Sequence, residues 1–444
     1  MSMIRSTTGG VLRSYRSNLM HSFITLNKSR DTMLTQRNFN SYAEDPAAAS
    51  RAFQMRRSLS RVESQYSVNN AVWAKYDTGF SAITGVQNLV KSRNEGDNAV
   101  AWDAVLRTLN DPSGDSRTAL GKVLNQIADT VVQNMNTKYG ETFIFAGADG
   151  LNVPFSFDAS GKLLYRGVPV DAAVPDVLKD AASGIIKVNA QGEVDPAGTD
   201  YLKTAGTSVI TVADYNQAGP DAPNVLKNAD QTLYQVDKDG KPDPAGGYYL
   251  VVDNPPETIS QADYEQAGKD VEKLKYMTEK EATFVDIGLG MKENGNQLIE
   301  SSAFNSALQG VTFLGYGVDD EGDPKNIVSL LKKMGELCST YKDEPWTTEN
   351  QHYQEVNRLA GKLEDAMKRL DAEYTDLSAA TVKVKNNGEL LEESAYNLQE
   401  QIAAEEDVNM AEAISSFVWA QYCYNAALKV GNSILSQSLM DYLS

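Results

Sequence analysis

Two long stretches near opposite ends of the chain carry an apolar residue at every third or fourth position, the pattern of a helix that packs against another helix. Between positions 356 and 398 the repeat is strict, with an apolar residue at every seventh position. Stretches this long cannot bury their stripes alone, so we predict that they pair within the chain as an antiparallel coiled-coil rod. The predicted seam consists of Met55, Leu59, Val62, Tyr66, Trp73, Phe80 and Ile83 in the first stretch and Val356, Leu363, Leu370, Leu377, Val384, Leu391 and Leu398 in the second.

The boundaries of these helices carry local signals. The dipeptide Asp45-Pro46 has the form of an N-cap followed by proline at the first helical position, and it predicts a helix that runs to about Lys91. Thr348 and Gln351 have the spacing of a capping box for the C-terminal helix. Gly388 is a candidate break in that helix.

Between positions 141 and 290 the sequence is rich in glycine, proline and aspartate, and its apolar residues alternate as in half-buried strands. This insert contains an internal repeat of about 48 residues. Val177-Leu178-Lys179 returns as Val225-Leu226-Lys227, and Asp195-Pro196-Ala197-Gly198 returns as Asp243-Pro244-Ala245-Gly246. We therefore predict a duplicated β-rich module with copies at 174–220 and 222–268, and an α+β fold overall.

The predicted segments follow from these boundaries. They are an N-terminal assembly and export segment (1–44), N-terminal coiled-coil helices (45–140), the β-rich variable insert (141–290), a helical connector (291–345), the C-terminal coiled-coil helix (346–404) and a C-terminal assembly helix (405–444).

Composition excludes several classes of function. The formal net charge of -19 and the lack of a dense Lys/Arg segment argue against a nucleic-acid partner and against an anionic membrane surface. No apolar run is long enough to insert into a membrane, and the first twenty residues lack the apolar core of a secretory signal peptide. We expect neither nucleic-acid binding nor membrane insertion.

No residue pattern points to catalysis. His21 and His352 each lie in polar, helix-forming sequence without a nearby nucleophile or a metal-binding motif. Cys338 and Cys423 lie within helical patterns, where a free, buried cysteine is the expected state. We predict that the protein is not an enzyme and has no catalytic residues, no cofactor and no metal.

One acidic group in the insert resembles part of a calcium-binding loop. The second set of oxygen ligands and the closing glutamate are missing, and the sister copy has Asn189 and Gln191 at the matching positions. Zinc hydrolysis of the metalloprotease type is excluded as well, because there is no histidine between Gly150 and Gly290 to bind the metal. The group is therefore interpreted as a turn between strands; it consists of Asp237, Asp239, Gly240 and Asp243.

Three segments resemble the bacterial flagellin superfamily: 35–49 (TQRNFNSYAEDPAAA), 141–147 (ETFIFAG) and 438–443 (SLMDYL). Within it the chain is most similar to the hook-associated proteins of the hook-filament junction. Flagellins typically carry Asp-Asp-Ala-Ala-Gly where this chain has DPAAA at 45–49. The resemblance covers about residues 1–155 and 290–444, and the duplicated insert lies outside it.

This resemblance implies a structural component of the extracellular flagellum, exported by the flagellar type III apparatus without a cleaved signal peptide. The implied partners are other copies in a ring, a neighbouring hook-associated protein, flagellin, and an export chaperone on the C-terminal helix. It implies self-assembly through the outer helices. The residues expected to contact other subunits are Leu12, Leu19, Leu26, Met33, Ile414, Phe417, Tyr424, Leu428, Leu435, Leu439, Tyr442 and Leu443.

Two alternatives stay open at this point. The chain could be a flagellin that forms the filament itself. It could also be a surface adhesin or glycan-binding module, in which the helices form a stalk and insert aromatics such as Tyr201, Tyr248 and Tyr249 stack on sugars.

Overall fold

The computed structural model describes residues 8–91, 100–110, 113–180, 184–205, 207–219, 223–294, 297–299 and 302–443. The fold is α+β, with long helices and small antiparallel sheets, as predicted. The chain divides into two compact units. Unit 1 contains 1–71, 286–303 and 383–444, and unit 2 contains 72–285 and 304–382.

The described helices are α1 (Thr8–Thr35), α2 (Pro46–Val90), α3 (Val100–Asn110), α4 (Gly114–Met135), α5 (Val212–Ala218), α6 (Gln261–Glu279), α7 (Gly310–Leu314), α8 (Ile327–Thr340), α9 (Gln351–Glu406) and α10 (Met410–Leu443).

The described strands are short and pair antiparallel. They are β1 (Lys138–Tyr139), β2 (Thr142–Phe143), β3 (Phe155–Phe157), β4 (Leu163–Tyr165), β5 (Val168–Pro169), β6 (Lys179–Asp180), β7 (Gly184–Ile185), β8 (Lys187–Val188), β9 (Asp200–Leu202), β10 (Ser208–Thr211), β11 (Gln235–Val236), β12 (Tyr248–Val251), β13 (Thr258–Ser260), β14 (Phe284–Val285), β15 (Glu293–Asn294), β16 (Gln297–Leu298) and β17 (Phe304–Asn305).

Helix α2 begins where its sequence signal predicts. Asp45 Oδ1 accepts hydrogen bonds from the backbone N–H groups of Ala47 (3.1 Å) and Ala48 (2.9 Å), which would otherwise lack partners in the first turn. Pro46, the first helical residue, has no N–H to satisfy. The predicted end near Lys91 is also confirmed, because the helix ends at Val90.

Helix α9 begins at a different cap from the predicted one. Asn350 Oδ1 accepts from the backbone N–H of Tyr353 (2.9 Å), and the Asn350 amide is held in place because it donates to Glu344 Oε2 (2.9 Å). The predicted capping box of Thr348 and Gln351 is therefore wrong. Two cap-forming residues lie close together here, and the helix starts at the one whose amide is also bonded to Glu344.

In unit 2, α2 and α9 lie side by side and antiparallel. Phe80 stacks on Tyr374 with ring centroids 4.6 Å apart, and Gln87 Nε2 donates to Asp371 Oδ1 (2.9 Å). Residues with higher numbers in α2 thus contact residues with lower numbers in α9, as antiparallel helices do. Four of the heptad residues of α9 are buried within this unit: Val356, Leu363, Leu370 and Leu377.

In unit 1, the same two helices contact each other through a buried polar residue. Asn69 Nδ2 donates to the backbone oxygen of Val384 (2.9 Å), and Asn69 Oδ1 accepts from Asn387 Nδ2 (2.9 Å). A Cβ at Gly388 would lie 2.7 Å from Asn69 Nδ2, so the glycine makes room for the amide. The predicted break at Gly388 is wrong, because α9 is continuous through it.

Burial differs between the two predicted seams. The α9 members Val384 and Leu391 are buried in unit 1, and Ile83 of α2 is buried in unit 2. The remaining members are half-buried: Met55, Leu59, Val62, Tyr66, Trp73, Phe80 and Leu398.

Helices α4 and α8 pack closely in unit 2 because each has a glycine at the contact. A Cβ on Gly335 would lie 2.7 Å from the backbone oxygen of Gly121, and a Cβ on Gly121 would lie 2.7 Å from the backbone oxygen of Gly335. Such short separations leave no room for a side chain on either residue. The surrounding side chains are buried: Leu124, Ile127, Val131, Leu331, Met334 and Cys338.

The insert is less purely β than its sequence suggests. It contains the 19-residue helix α6 and the 7-residue helix α5. Each follows a strand directly and is capped by a hydroxyl: Thr211 Oγ1 accepts from Asp214 N–H (3.1 Å), and Ser260 Oγ accepts from Asp263 N–H (3.1 Å). The glycine-, proline- and aspartate-rich composition therefore describes only the strands and turns of this segment.

Candidate assembly surface on the terminal helices

Helix α10 buries two alanines and a glycine on the face that also carries Tyr424, while several of its large apolar residues are exposed to solvent. Ala413 and Ala420 are only 4% and 6% exposed, and a side chain at Gly431 would collide with the ring of Tyr15 on α1. Trp419 and Tyr422, in contrast, are each 68% exposed, with ring centroids 6.1 Å apart. Trp419 and Tyr422 thus depart from the usual arrangement of a helix, in which the large apolar residues face the interior.

Large apolar residues are exposed on several helices of unit 1, among them Phe53 of α2 and Leu390 of α9. Those on the packed pair α1 and α10 are the most numerous, and several exposed apolar side chains on one pair of helices are typical of an interaction site. We call this set the terminal apolar surface. It consists of Met20, Phe23, Ile24 and Leu34 on α1 and of Ile414, Val418, Trp419, Tyr422, Leu428 and Val430 on α10.

Two open grooves lie on this surface. The first, of about 870 Å³, runs along α1 past Leu12, Leu19 and Phe23, whose ring packs 5.8 Å from Tyr424 of α10. The second, of about 710 Å³, is formed by α10 alone beside Trp419 and Tyr422. Both grooves are mostly apolar and suit an apolar side chain of a partner, although Arg13 and Arg16 also line the first.

The structure divides the predicted subunit-contact residues between two environments. Those that are half-buried on the adjoining helices are Leu12, Leu19, Leu26, Met33, Phe417 and Tyr424. Ile414 and Leu428 are exposed. Leu435, Leu439, Tyr442 and Leu443 belong to α10, but their side chains lie outside the described residues.

Several exposed residues escaped the sequence prediction. Val418, Trp419 and Tyr422 on α10, and Met20 and Ile24 on α1, lie off the seven-residue stripe. A second signal was available in the sequence: Ala413 and Ala420 are themselves seven positions apart and mark a small-residue face. That face allows close helix packing and leaves the larger side chains on the opposite side.

The turn that follows α1 is bonded to the turn that precedes α10. The backbone N–H of Asn38 donates to Glu406 O (2.8 Å), and the N–H of Val408 donates to Gln36 O (3.1 Å). The guanidinium of Arg51 makes two hydrogen bonds to the carboxylate of Glu405, at 2.9 and 2.8 Å. The two terminal helices thus leave the rest of unit 1 through one shared, hydrogen-bonded junction.

Among the residues that the structure describes, one group of acidic side chains is close enough together to hold a metal ion: Asp319, Glu321 and Asp323. Asp323 is already bound by Arg358 Nε (2.7 Å) and Lys333 Nζ (3.0 Å). Burial raises the pKa of Asp323, but these two cations outweigh it and hold the pKa below its usual value. The group is a neutralised ion-pair network and does not point to a metal.

The calcium-like group in the insert is a turn. Asp237 Oδ1 accepts from the backbone N–H groups of Asp239 (2.8 Å) and Lys241 (2.9 Å), and Gly240 has a φ of 76°. The sister copy makes the same turn, in which Asn189 Oδ1 accepts two backbone hydrogen bonds. Since an asparagine replaces the aspartate there, the side-chain oxygen serves the backbone.

The histidines and cysteines lie in structural surroundings. His352 stacks on Tyr341 (3.4 Å), and its Nδ1 is 2.7 Å from Glu344 Oε2. Cys338 is buried and free, and burial raises the pKa of its thiol to about 11. Cys423 is half-buried and also free.

Within the described part of the chain, no helix combines the length and the hydropathy that a bilayer crossing requires.

No protein-family model and no curated protein sequence matches the chain. Similar solved structures include one described as a flagellar hook-associated protein from Vibrio parahaemolyticus, with a TM-score of 0.45 at 11% identity, over 82% of this chain and 100% of that chain. Flagellar hook-associated protein 3 from Legionella pneumophila gives 0.36 at 15% identity, over 78% and 98%. The flagellar junction protein FlgL from the same organism gives 0.32 at 13% identity, over 77% and 100%. TM-scores below 0.5 do not establish a shared fold, so no function is transferred from these proteins.

Proposed function

We propose that this chain is a structural component of the bacterial flagellum that joins the hook to the flagellin filament and assembles through its terminal helices. The observation that carries the proposal is the terminal apolar surface, on which α10 buries alanine against α1 and exposes Trp419 and Tyr422. The second support is the sequence resemblance of 35–49, 141–147 and 438–443 to the hook-associated junction proteins.

The mechanism is one of packing. Copies of the chain form a ring in which the terminal helices pack into an inner layer, together with the paired α2 and α9 as a coiled-coil rod. One edge of the ring accepts a neighbouring hook-associated protein, and the other receives flagellin. Each Å² of apolar surface that a neighbour covers contributes about 25 cal/mol, so a surface rich in aromatic residues drives association.

Export precedes this assembly. Before secretion through the type III apparatus, the exposed face of α10 would be covered by an export chaperone, because an amphipathic helix docks well in an apolar groove. After secretion to the extracellular end of the flagellum, the same face is free to bind other subunits.

The insert supports a spacer role better than a sugar-binding role. Tyr201 packs edge-on against Tyr264 (5.3 Å), and Tyr249 packs edge-on against Tyr215 (5.2 Å). An aromatic ring that stacks on a sugar needs a free, accessible face, whereas Tyr201 is buried and Tyr248 packs against the buried cluster of the insert. The duplicated β-rich module is therefore proposed to face solvent as a variable outer domain.

A pair of tyrosine substitutions tests the assembly surface. Tyr422→Asp on α10 places a charge in the proposed subunit contact, and we expect it to lower filament attachment at least tenfold, a loss typical of an interface hot spot. Tyr276→Asp is the matched control, since Tyr276 is 57% exposed but lies on α6 of the insert. The measurement is the number of filaments per cell by electron microscopy after complementation of a gene deletion.

Circular dichroism distinguishes the loss of a subunit contact from misfolding of the variant. Both variants should keep the circular dichroism of the wild-type monomer. Equal filament counts for the two variants would contradict the proposal that α10 carries the subunit contact.

Deletion of the gene tests the junction itself. We expect hooks without filaments, together with flagellin monomers in the medium. Retained filaments would contradict the junction role, and thousands of copies of the chain per flagellum would identify it as the filament protein instead.

A further inference from the structure

The two copies of the insert do not close their own sheets. β10 (Ser208–Thr211), the last strand of the first copy, pairs with β12 (Tyr248–Val251) of the second copy. β13 (Thr258–Ser260), the last strand of the second copy, pairs with β9 (Asp200–Leu202) of the first. The resulting sheet orders are β10-β12-β11 and β13-β9-β8. Each copy therefore receives its outer strand from the other.

The exchange is reciprocal in register. Ile210 lies opposite Tyr249 in one sheet, and Ile259 lies opposite Tyr201 in the other; both pairs occupy equivalent positions of the repeat. The bonds that extend the two ladders are equivalent as well. They run from Val212 N–H to Gly247 O (3.1 Å) and from Gln261 N–H to Thr199 O (2.9 Å).

The helix that follows each exchanged strand also contacts the other copy. Tyr215 of α5 packs edge-on against Tyr249 of the second copy (5.2 Å). Tyr264 of α6 packs edge-on against Tyr201 of the first copy (5.3 Å). Each copy thus donates a closing element that consists of one strand, a capping hydroxyl and one aromatic contact.

The copies share one interior. The side chains that face it form a single buried cluster in which equivalent residues of the two copies meet, so neither copy has a core of its own. Its members are Leu178, Ile186, Val188 and Leu202 from the first copy and Leu226, Val236 and Leu250 from the second.

We propose that the insert is an internally strand-exchanged pair, in which damage to the closing strand of one copy opens the sheet of the other copy. A strand that loses its neighbour exposes backbone groups and the apolar side chains beneath it, and local opening follows the contacts that are lost. The coupling is therefore crossed: β10 protects the second copy, and β13 protects the first. This inference is independent of the proposed flagellar function.

Hydrogen–deuterium exchange of the full-length chain, followed by mass spectrometry, tests the crossed coupling. Ile210→Ala should raise exchange about tenfold in β12 and β11 and much less in β9 and β8, because loss of a half-buried isoleucine side chain weakens the packing of β10 against its neighbour. Ile259→Ala should raise it in β9 and β8. Ser208→Ala, at an exposed position of β10, is the control and should leave both sheets protected.

Two results would overturn the proposal. One is faster exchange of β9 and β8, and not of β12 and β11, in the Ile210→Ala variant. The other is an equal rise in both sheets, which the shared core alone would produce.

A cross-linking experiment gives a second readout that needs no destabilised variant. Ser208 lies opposite Val251, and the backbone N–H of Lys203 donates to Glu257 O (2.9 Å). The double variants Ser208→Cys/Val251→Cys and Lys203→Cys/Glu257→Cys should therefore form intrachain disulfides on mild oxidation. Ser208→Cys/Glu257→Cys joins strands of different sheets and should not. Failure of both exchanged pairs to cross-link would overturn the proposal.

Discussion

Replacing Gly335 with alanine is expected to destabilise the chain by about 1–3 kcal/mol, while the same replacement at Gly361 is expected to stabilise it by about 1 kcal/mol. Both glycines lie within helices of unit 2, so both gain the same helix propensity from a Cβ. At Gly335 that Cβ would lie 2.7 Å from the backbone oxygen of Gly121, whereas at Gly361 it would meet nothing within 4 Å. The difference between the two variants therefore measures the steric cost of separating α4 from α8.

Urea unfolding of the two glycine variants, followed by helical circular dichroism, provides the measurement. The midpoint should move to lower urea for Gly335→Ala and to higher urea for Gly361→Ala. If both variants shifted in the stabilising direction, the close packing of α4 on α8 would be refuted.

The second large effect concerns a buried carboxyl group whose charge is poorly compensated. Asp171 follows strand β5, and its Oδ1 is buried without a hydrogen-bond partner. Burial raises the pKa of Asp171 to about 6, although a hydrogen bond from Ser329 and the charge of Lys162 oppose the change. An aspartate in an unfolded chain has a pKa of about 3.9. Between these two values the folded chain binds more protons than the unfolded one.

The free energy of unfolding falls as pH rises from about 4 to about 6, because the carboxyl group of Asp171 in the folded state must then give up a proton that burial favours. At neutral pH the ionised carboxylate costs about 3 kcal/mol. Asp171→Asn keeps a polar side chain without the charge, so it should stabilise the chain by up to that amount at pH 7 and have little effect below pH 4.

The Asp171 prediction is measured as the difference in unfolding free energy between variant and wild type across pH 3.5 to 7.5. Asp230→Asn, at an exposed position of the insert, is the control for the loss of one carboxyl group. A flat difference for Asp171→Asn would show that this carboxyl group is not buried as the structure places it.

Local signals in the sequence predict the helices well where one residue decides the outcome. Asp45 and Pro46 define the start of α2 without any help from tertiary structure, and the prediction is right at both ends of that helix. The start of α9 is different, since Thr348 and Asn350 are both capable caps and the choice depends on the bond to Glu344. The residue types at the two candidate cap positions do not separate them.

The sequence of the insert does contain a signal for its two helices, although the glycine-, proline- and aspartate-rich composition obscures it. Thr211 with Asp214, and Ser260 with Asp263, have the spacing of a capping box in both copies of the repeat. The sequence contains no corresponding signal for the crossed strand pairing. Because the copies carry the same apolar pattern, β10 suits β9 and β12 equally well by sequence, and only the path of the connecting chain decides between them.

The candidate assembly surface was partly predictable for a similar reason. Seven-residue spacing identifies Phe417 and Tyr424 as members of a stripe, and the structure places Tyr424 against Phe23 of α1. It does not predict the exposure of Trp419, which depends on how closely α1 approaches the alanines on the other side of the helix.

The bonded turns between α1 and α2 and between α9 and α10 have a mechanical consequence. The two chain segments are joined by two backbone hydrogen bonds, one from Asn38 to Glu406 and one from Val408 to Gln36. A segment held at one point can rotate about it, whereas two bonds restrict that rotation. Neither terminal helix can change its tilt without the other, unless hydrogen bonds worth about 1 kcal/mol each are broken. The tilt of the pair is therefore set once for both helices, and every copy of the chain would carry the same angle into whatever array it enters.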